Sequence, residues 1–107
     1  MRTYRGTRRS DQGCEVTVDG RPLDARLDLG VHSPSGFEWA YGRGAAQLAI
    51  ALLADHLAPE GRPRPDMRAL AMYQRFRALV VAHMPFEGWT LTSEELRAVV
   101  ALLERLS

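Results

Sequence analysis

Gly42-Arg43-Gly44 stands directly before an almost wholly apolar run, Ala45 to Leu57, in which only Gln47, Asp55 and His56 are strongly polar. Residues of these types in this order can bind an anion. Glycines leave backbone N–H groups open at a helix N-terminus, and an arginine adds a charge-assisted contact. The same residues also suit a plain corner between a strand and a helix. The lysine and Ser/Thr of a phosphate loop are missing, and a dinucleotide fingerprint breaks at Gln47. The sequence therefore favours the corner and keeps anion binding at Gly42, Arg43 and Gly44 as the alternative.

A second set is basic. Arg2, Arg5, Arg8 and Arg9 precede any acid, and Arg62, Arg64, Arg68, Arg75 and Arg77 form another region broken only by Asp66. Such residues can follow a phosphate backbone, with Arg5, Arg8 and Arg9 as the nucleic-acid candidates. The competing reading is a solvated surface and a charged edge strand. All 14 basic residues are arginine and the net charge is +1. A chain-wide bias of that kind points to base composition more than to a basic partner-binding face. Phe37, Trp39 and Tyr41 recur with period two, which suits base stacking or, more often, core packing.

Titratable groups give little else. His32, His56 and His83 lie apart, with no metal-ligand spacing around them. His32-Ser33 is adjacent in sequence, but a nucleophile–base pair needs spatial geometry. Cys14 sits on the apolar face of a strand pattern, where a thiol is normally inert. No catalytic residue, metal ligand or cofactor is assigned. Cys14 is the only cysteine, which excludes an intramolecular disulfide and fits a reducing compartment. No apolar signal segment opens the chain and no run is long enough to span a bilayer, so the expectation is a cytoplasmic protein with no membrane contact.

These residues must be held by 107 residues of ordinary globular composition, 46% hydrophobic and 25% charged, expected to form one domain over 1–107. Residues 14–19 alternate as a half-buried strand. Asp19-Gly20 predicts a type I′ hairpin that pairs Val18 with Arg21, Val16 with Leu23 and Cys14 with Ala25. Residues 3–8 could add a strand, and 37–41 a further one with its three rings on one face. Ala45 to Leu57 reads as a central helix covered from several sides. The prolines of 59–65 force a connector. Asp66 caps an amphipathic helix running through Met72, Tyr73, Phe76, Leu79, Val80 and Met84, and Pro85 closes it. Thr92 and Glu95 form a capping box, stapled by Leu91 and Leu96, at the start of the last helix. The fold class is α+β: a small antiparallel sheet, comprising the N-terminal hairpin plus strand 37–41, packed against three C-terminal helices.

The chain also resembles a small family found in bacteria, archaea and their viruses, which has no established function. The matching segments are Tyr4-Arg5-Gly6, Val18-Asp19-Gly20 with Leu23, His32-Ser33-Pro34, Gly36-Phe37-Glu38-Trp39, Tyr41-Gly42 and Gln47-Leu48-Ala49. Tyr73, Phe76, Val81, Pro85 and Trp89-Thr90-Leu91-Thr92 continue the match. The glycine loop departs from the family pattern: Arg43 is inserted, Ala45 stands in place of a proline, and Ala40 replaces a glycine. The resemblance implies one intact domain and supplies no catalytic residues.

The expected function is that of a non-enzymatic cytoplasmic accessory protein acting through contacts with a protein partner or as a homodimer. The alternative is nucleic-acid or nucleotide-phosphate binding through Gly42-Arg43-Gly44 and the N-terminal arginines. A small hydrolase or transferase centred on His32 and Ser33 is a distant third.

Overall fold

A computed structural model of the chain describes residues 2–9, 13–33, 36–39, 42–58 and 65–106. Three strands open it: β1 (Thr3–Arg9), β2 (Gly13–Val18) and the short β3 (Arg21–Pro22). After an irregular stretch come α1 (Arg43–Leu57), α2 (Pro65–Leu79) and a single 3-10 turn at Val81–His83. Strand β4 (Gly88–Thr92) and helix α3 (Ser93–Arg105) complete the order. The strands form one antiparallel sheet, ordered β3-β2-β1-β4. The α+β class and the three helices are as the sequence predicts.

The hairpin forms where turn chemistry and apolar pattern agree. Asp19 and Gly20 take φ of 50° and 83°, as a type I′ turn requires. Val18 faces Arg21 and Thr17 faces Pro22, and the Leu23 N–H donates to the Val16 carbonyl at 3.0 Å. The ladder ends there, so the expected Cys14–Ala25 pair does not form. Asp24 accepts from the Arg26 N–H at 2.9 Å, and Arg26 itself takes φ of 52°. That side-chain turn offers the backbone an alternative to the ladder. Arg26 is then held by Asp28 at 2.9 Å and Asp66 at 3.0 Å, which ties the loop to the start of α2. The two carboxylates push its guanidinium pKa further up, and Arg26 in turn holds the Asp28 carboxyl below its usual range.

Residues 37–39 correct the sequence reading: they are not a strand, and residues 40–41 lie outside the described residues. Period two is present in the side chains, but the backbone partners differ. The Trp39 N–H donates to the carboxylate of its own neighbour Glu38 at 2.9 Å, so it does not serve a ladder. The fourth strand is β4 instead, which pairs with β1 so that Gly6 faces Trp89 and Tyr4 faces Leu91. Helix α2 also stops at Leu79, short of Met84.

One face of the sheet is buried under α1. Tyr4, Val16 and Val18 from the strands join Leu48, Leu52, Leu53 and Leu57 of α1, Ala69, Met72 and Phe76 of α2, and Leu96, Val100 and Leu103 of α3. Nearly all of α1 is buried, as its apolar run demands. The predicted capping box is present at α3: Thr92 Oγ1 accepts from the Glu95 N–H at 3.2 Å, while Glu95 accepts from the Thr92 N–H at 3.0 Å. Among the described residues no helix is long and apolar enough to cross a membrane.

Candidate functional site

The corner before α1 is built from backbone that only glycine tolerates easily. Gly42 is the N-cap at φ 80°, ψ −166°, with no side chain capping the helix. Two residues on, Gly44 lies so close to residue 38 that an added Cβ would sit 2.6 Å from the Glu38 backbone nitrogen. Segment 36–39 is thus pressed against the first turn of α1, and the glycines are the reason it fits.

Glu38 is the hub of this corner. Its carboxylate receives both terminal nitrogens of Arg8 in a fork, with Nη1 to Oε2 at 3.0 Å. Arg8 Nε donates to the Phe86 carbonyl at 2.8 Å, and the same carbonyl accepts from Trp39 Nε1 at 3.0 Å. The guanidinium lies 3.7 Å from the centre of the Phe86 ring and 5.0 Å from that of Trp39. Trp39 is fully buried and meets Trp89 edge-on at 5.6 Å. Cys14 adds its thiol, 3.7 Å from Glu38 Oε2. Burial pushes that thiol's pKa up, and the nearby Glu38 charge adds to the rise against the opposing pull of Arg8. The thiol is therefore protonated at neutral pH and a poor nucleophile.

Two hollows flank Gly42 and Arg43. One, of about 410 Å³, is lined by Arg8, Cys14, Ser33, Glu38 and Gly44 among others. Its charges largely cancel, because Arg8 and Glu38 are committed to each other. The other, of about 340 Å³, lies toward α2 and is lined by His32, Arg43, Ala46, Tyr73, Gln74 and Arg77 beside Gly42. It has no carboxylate among its described lining residues.

The residues singled out in the sequence are thus partly brought together and partly separated. Gly42, Arg43 and Gly44 are the N-cap and first two residues of α1, two positions earlier than the apolar run implies. Arg8 turns inward to Glu38, whereas Arg5 and Arg9 point to the opposite, exposed face of β1, where Arg9 meets Glu15 at 3.2 Å. Of the three aromatics, Trp39 is buried, Phe37 is half-buried against the core, and Tyr41 lies outside the described residues. Among the described residues no group of three His, Cys, Asp or Glu is placed to hold a metal.

Sequence reasoning missed three polar residues that hold α1 and the corner before it in place. Gln47, wholly buried, accepts from the His32 and Ser33 N–H groups at 2.8 and 3.1 Å and donates to the Ala25 carbonyl at 2.7 Å. It pins the 23–33 loop to α1. Asp55 accepts from the Tyr4 hydroxyl at 2.7 Å and pairs with Arg2 at 3.3 Å, fixing β1 to the other end of the same helix. Burial and the Asp55 carboxylate both raise the Tyr4 hydroxyl pKa. Glu38 is the third. For Gln47 and Asp55 the signal was their place as polar exceptions in the apolar run, since a polar side chain on a buried helix must be satisfied and so marks a partner; Glu38 lies outside that run and carried no such signal.

The fold and this corner can now be compared with known proteins. A profile of a family described as "Family of unknown function (DUF6166)" matches residues 4–102, from β1 to the last turns of α3. The chain belongs to DUF6166. The matched span takes in every strand, all of α1 and α2, and the Arg8–Glu38 corner, so the DUF6166 domain is the unit whose function is in question. No curated protein and no solved structure matches the chain.

Proposed function

We propose that this DUF6166 protein is a non-enzymatic cytoplasmic accessory protein that acts by contacting another protein or a second copy of itself. One observation carries the reading. Leu102 on α3 and Leu106, the C-cap residue one turn later, are 51% and 55% exposed, and half-buried Val99 extends the same stripe. The helix that presents them is firmly capped and anchored by Leu96, Val100 and Leu103, so the stripe is rigid. The polar side chains nearest the glycine corner support the same reading, since Arg8, Glu38, Cys14 and Gln47 are engaged in holding the fold.

The test is a paired Leu102→Glu and Leu106→Glu variant. Both positions are exposed, so folding stability should change by less than about 1 kcal/mol. Light scattering should show a dimer in the wild type reduced to a monomer in the variant, or a pulled-down partner retained only by the wild type. A monomeric wild type whose retained proteins are identical to those of the variant would sink the reading.

A second reading is favoured by the position of Arg43, which stands between both hollows beside an uncapped helix start: anion or nucleotide-phosphate binding through Gly42-Arg43-Gly44, without Arg8, which is committed to Glu38, or Arg5 and Arg9, which lie on the other face of β1. Retention on heparin should then weaken as salt rises and drop in Arg43→Gln. Retention independent of salt, or unchanged in that variant, counts against it.

A further inference from the structure

We propose that the hollow between α1 and α2 binds a small phosphate monoester carrying a flat ring, of the nucleoside monophosphate kind. This deepens the second reading above and rests on it for Arg43, but places the ligand on the α2 side of the corner and adds residues that reading does not use.

The charge of the hollow is one-sided. Arg43 and Arg77 both line it, and neither has an ion-pair partner among the described residues. Arg2, Arg8, Arg9, Arg26 and Arg68 are by contrast each paired with an acid. Two guanidiniums around one concavity, with no carboxylate among its described lining residues, raise the local concentration of anions. Each planar fork takes two acceptor oxygens, so two forks are better served by the several oxygens of a phosphate than by a halide or one carboxylate.

The other wall is aromatic. Tyr73 and His32 pack with ring centroids 5.6 Å apart at 45°, and both line the hollow. Both positions are fixed: Gln47 holds the His32 backbone, and Tyr73 sits on α2 between buried Met72 and Phe76. Such a surface offers a flat ring a face to lie against. Ala46 and Gln74 complete the lining, and the Gln74 amide, whose Nε2 donates to the Tyr73 hydroxyl at 3.4 Å, keeps its oxygen as an acceptor. Size narrows the ligand further. At about 340 Å³ the hollow is far larger than inorganic phosphate and at the lower end of the small-molecule range. A mononucleotide fits that scale, whereas a dinucleotide or a nucleic-acid chain would extend beyond it.

The test uses the whole chain, isotopically labelled, titrated with adenosine 5′-monophosphate, adenosine and inorganic phosphate while backbone amide shifts are followed. The monophosphate should give saturable shifts at residues 43–46 and 73–77. Adenosine should give none, and inorganic phosphate should bind about tenfold more weakly. Arg77→Gln and Arg43→Gln should each weaken the monophosphate about tenfold or more, as expected on losing a charged hydrogen bond. Both side chains are exposed, so unchanged thermal midpoints will show that the variants fold. Binding unmoved by Arg77→Gln, or equal for phosphate and monophosphate, overturns the inference. Shifts confined to Cys14, Gly36 and Glu38 also overturn it while leaving the glycine-corner reading standing. Absence of saturable shifts anywhere removes both.

Discussion

Trp39→Ala is expected to cost about 3–5 kcal/mol of folding free energy, the range for truncating a buried aromatic. The ring is wholly buried, meets Trp89 edge-on, and lies within reach of the Arg8 guanidinium. Its loss would open a void beneath segment 36–39 and release one wall around Arg8. Against a typical total of roughly 5–15 kcal/mol, that leaves the chain marginal. Urea unfolding should show a midpoint far below the wild type, and the thermal midpoint should fall by more than about 12 °C. Trp39→Phe separates packing from hydrogen bonding. The Phe86 carbonyl keeps its Arg8 Nε donor at 2.8 Å, so losing the indole N–H strands no acceptor. Its cost should therefore stay near 1–2 kcal/mol, that of a smaller ring and one lost hydrogen bond, about half or less of the alanine effect. A loss below about 1 kcal/mol in Trp39→Ala would show that the ring is not part of the core.

The same ring shows where the sequence could be read and where it could not. Burial of Trp39 followed from an aromatic face, but its strand did not form. Alternation fixes which side chains want shelter, whereas a strand also needs a neighbour for its backbone. Here Glu38 supplied the Trp39 N–H with a carboxylate, and α1 filled the space beside it. Elements specified within a few residues were legible: the Asp19-Gly20 hairpin and the Thr92–Glu95 box each carry both halves of their geometry in one short stretch. β4 was hidden because its partner, β1, lies some 85 residues earlier in the chain, and nothing local in Gly-Trp-Thr-Leu-Thr announces that pairing. Gly6 gives the clue in retrospect, since a Cβ there would fall within 2.3 Å of the Trp89 ring. For the corner, the glycines were visible from the start. Glu38, Gln47 and Asp55 were not, because their roles depend on partners 14 or more residues distant.

Gly44→Ala sets two physical effects against each other, and its sign decides which governs the corner. Gly44 is the second residue of α1, where alanine is the better helix former by about 1 kcal/mol. Propensity alone therefore predicts a stabilised protein. The packing predicts the reverse. The new methyl would lie 2.5 Å from Glu38 Cβ and 2.6 Å from its backbone nitrogen, so the main chain itself must move. Residue 38 cannot retreat freely, because its carboxylate is forked onto Arg8 and the next residue is the buried Trp39. Displacing it loosens the ion pair and the aromatic contact together. Overpacking of this kind costs about 1–3 kcal/mol, which exceeds the helix-propensity gain over most of that range. We therefore expect net destabilisation of up to about 2 kcal/mol, a fall in the thermal midpoint of up to roughly 16 °C, and a change in tryptophan fluorescence as the Trp39 environment opens. A raised midpoint with unchanged fluorescence would mean that segment 36–39 is not clamped against α1. The Arg8–Glu38 fork would then be an accessory to the corner and not the reason for its shape.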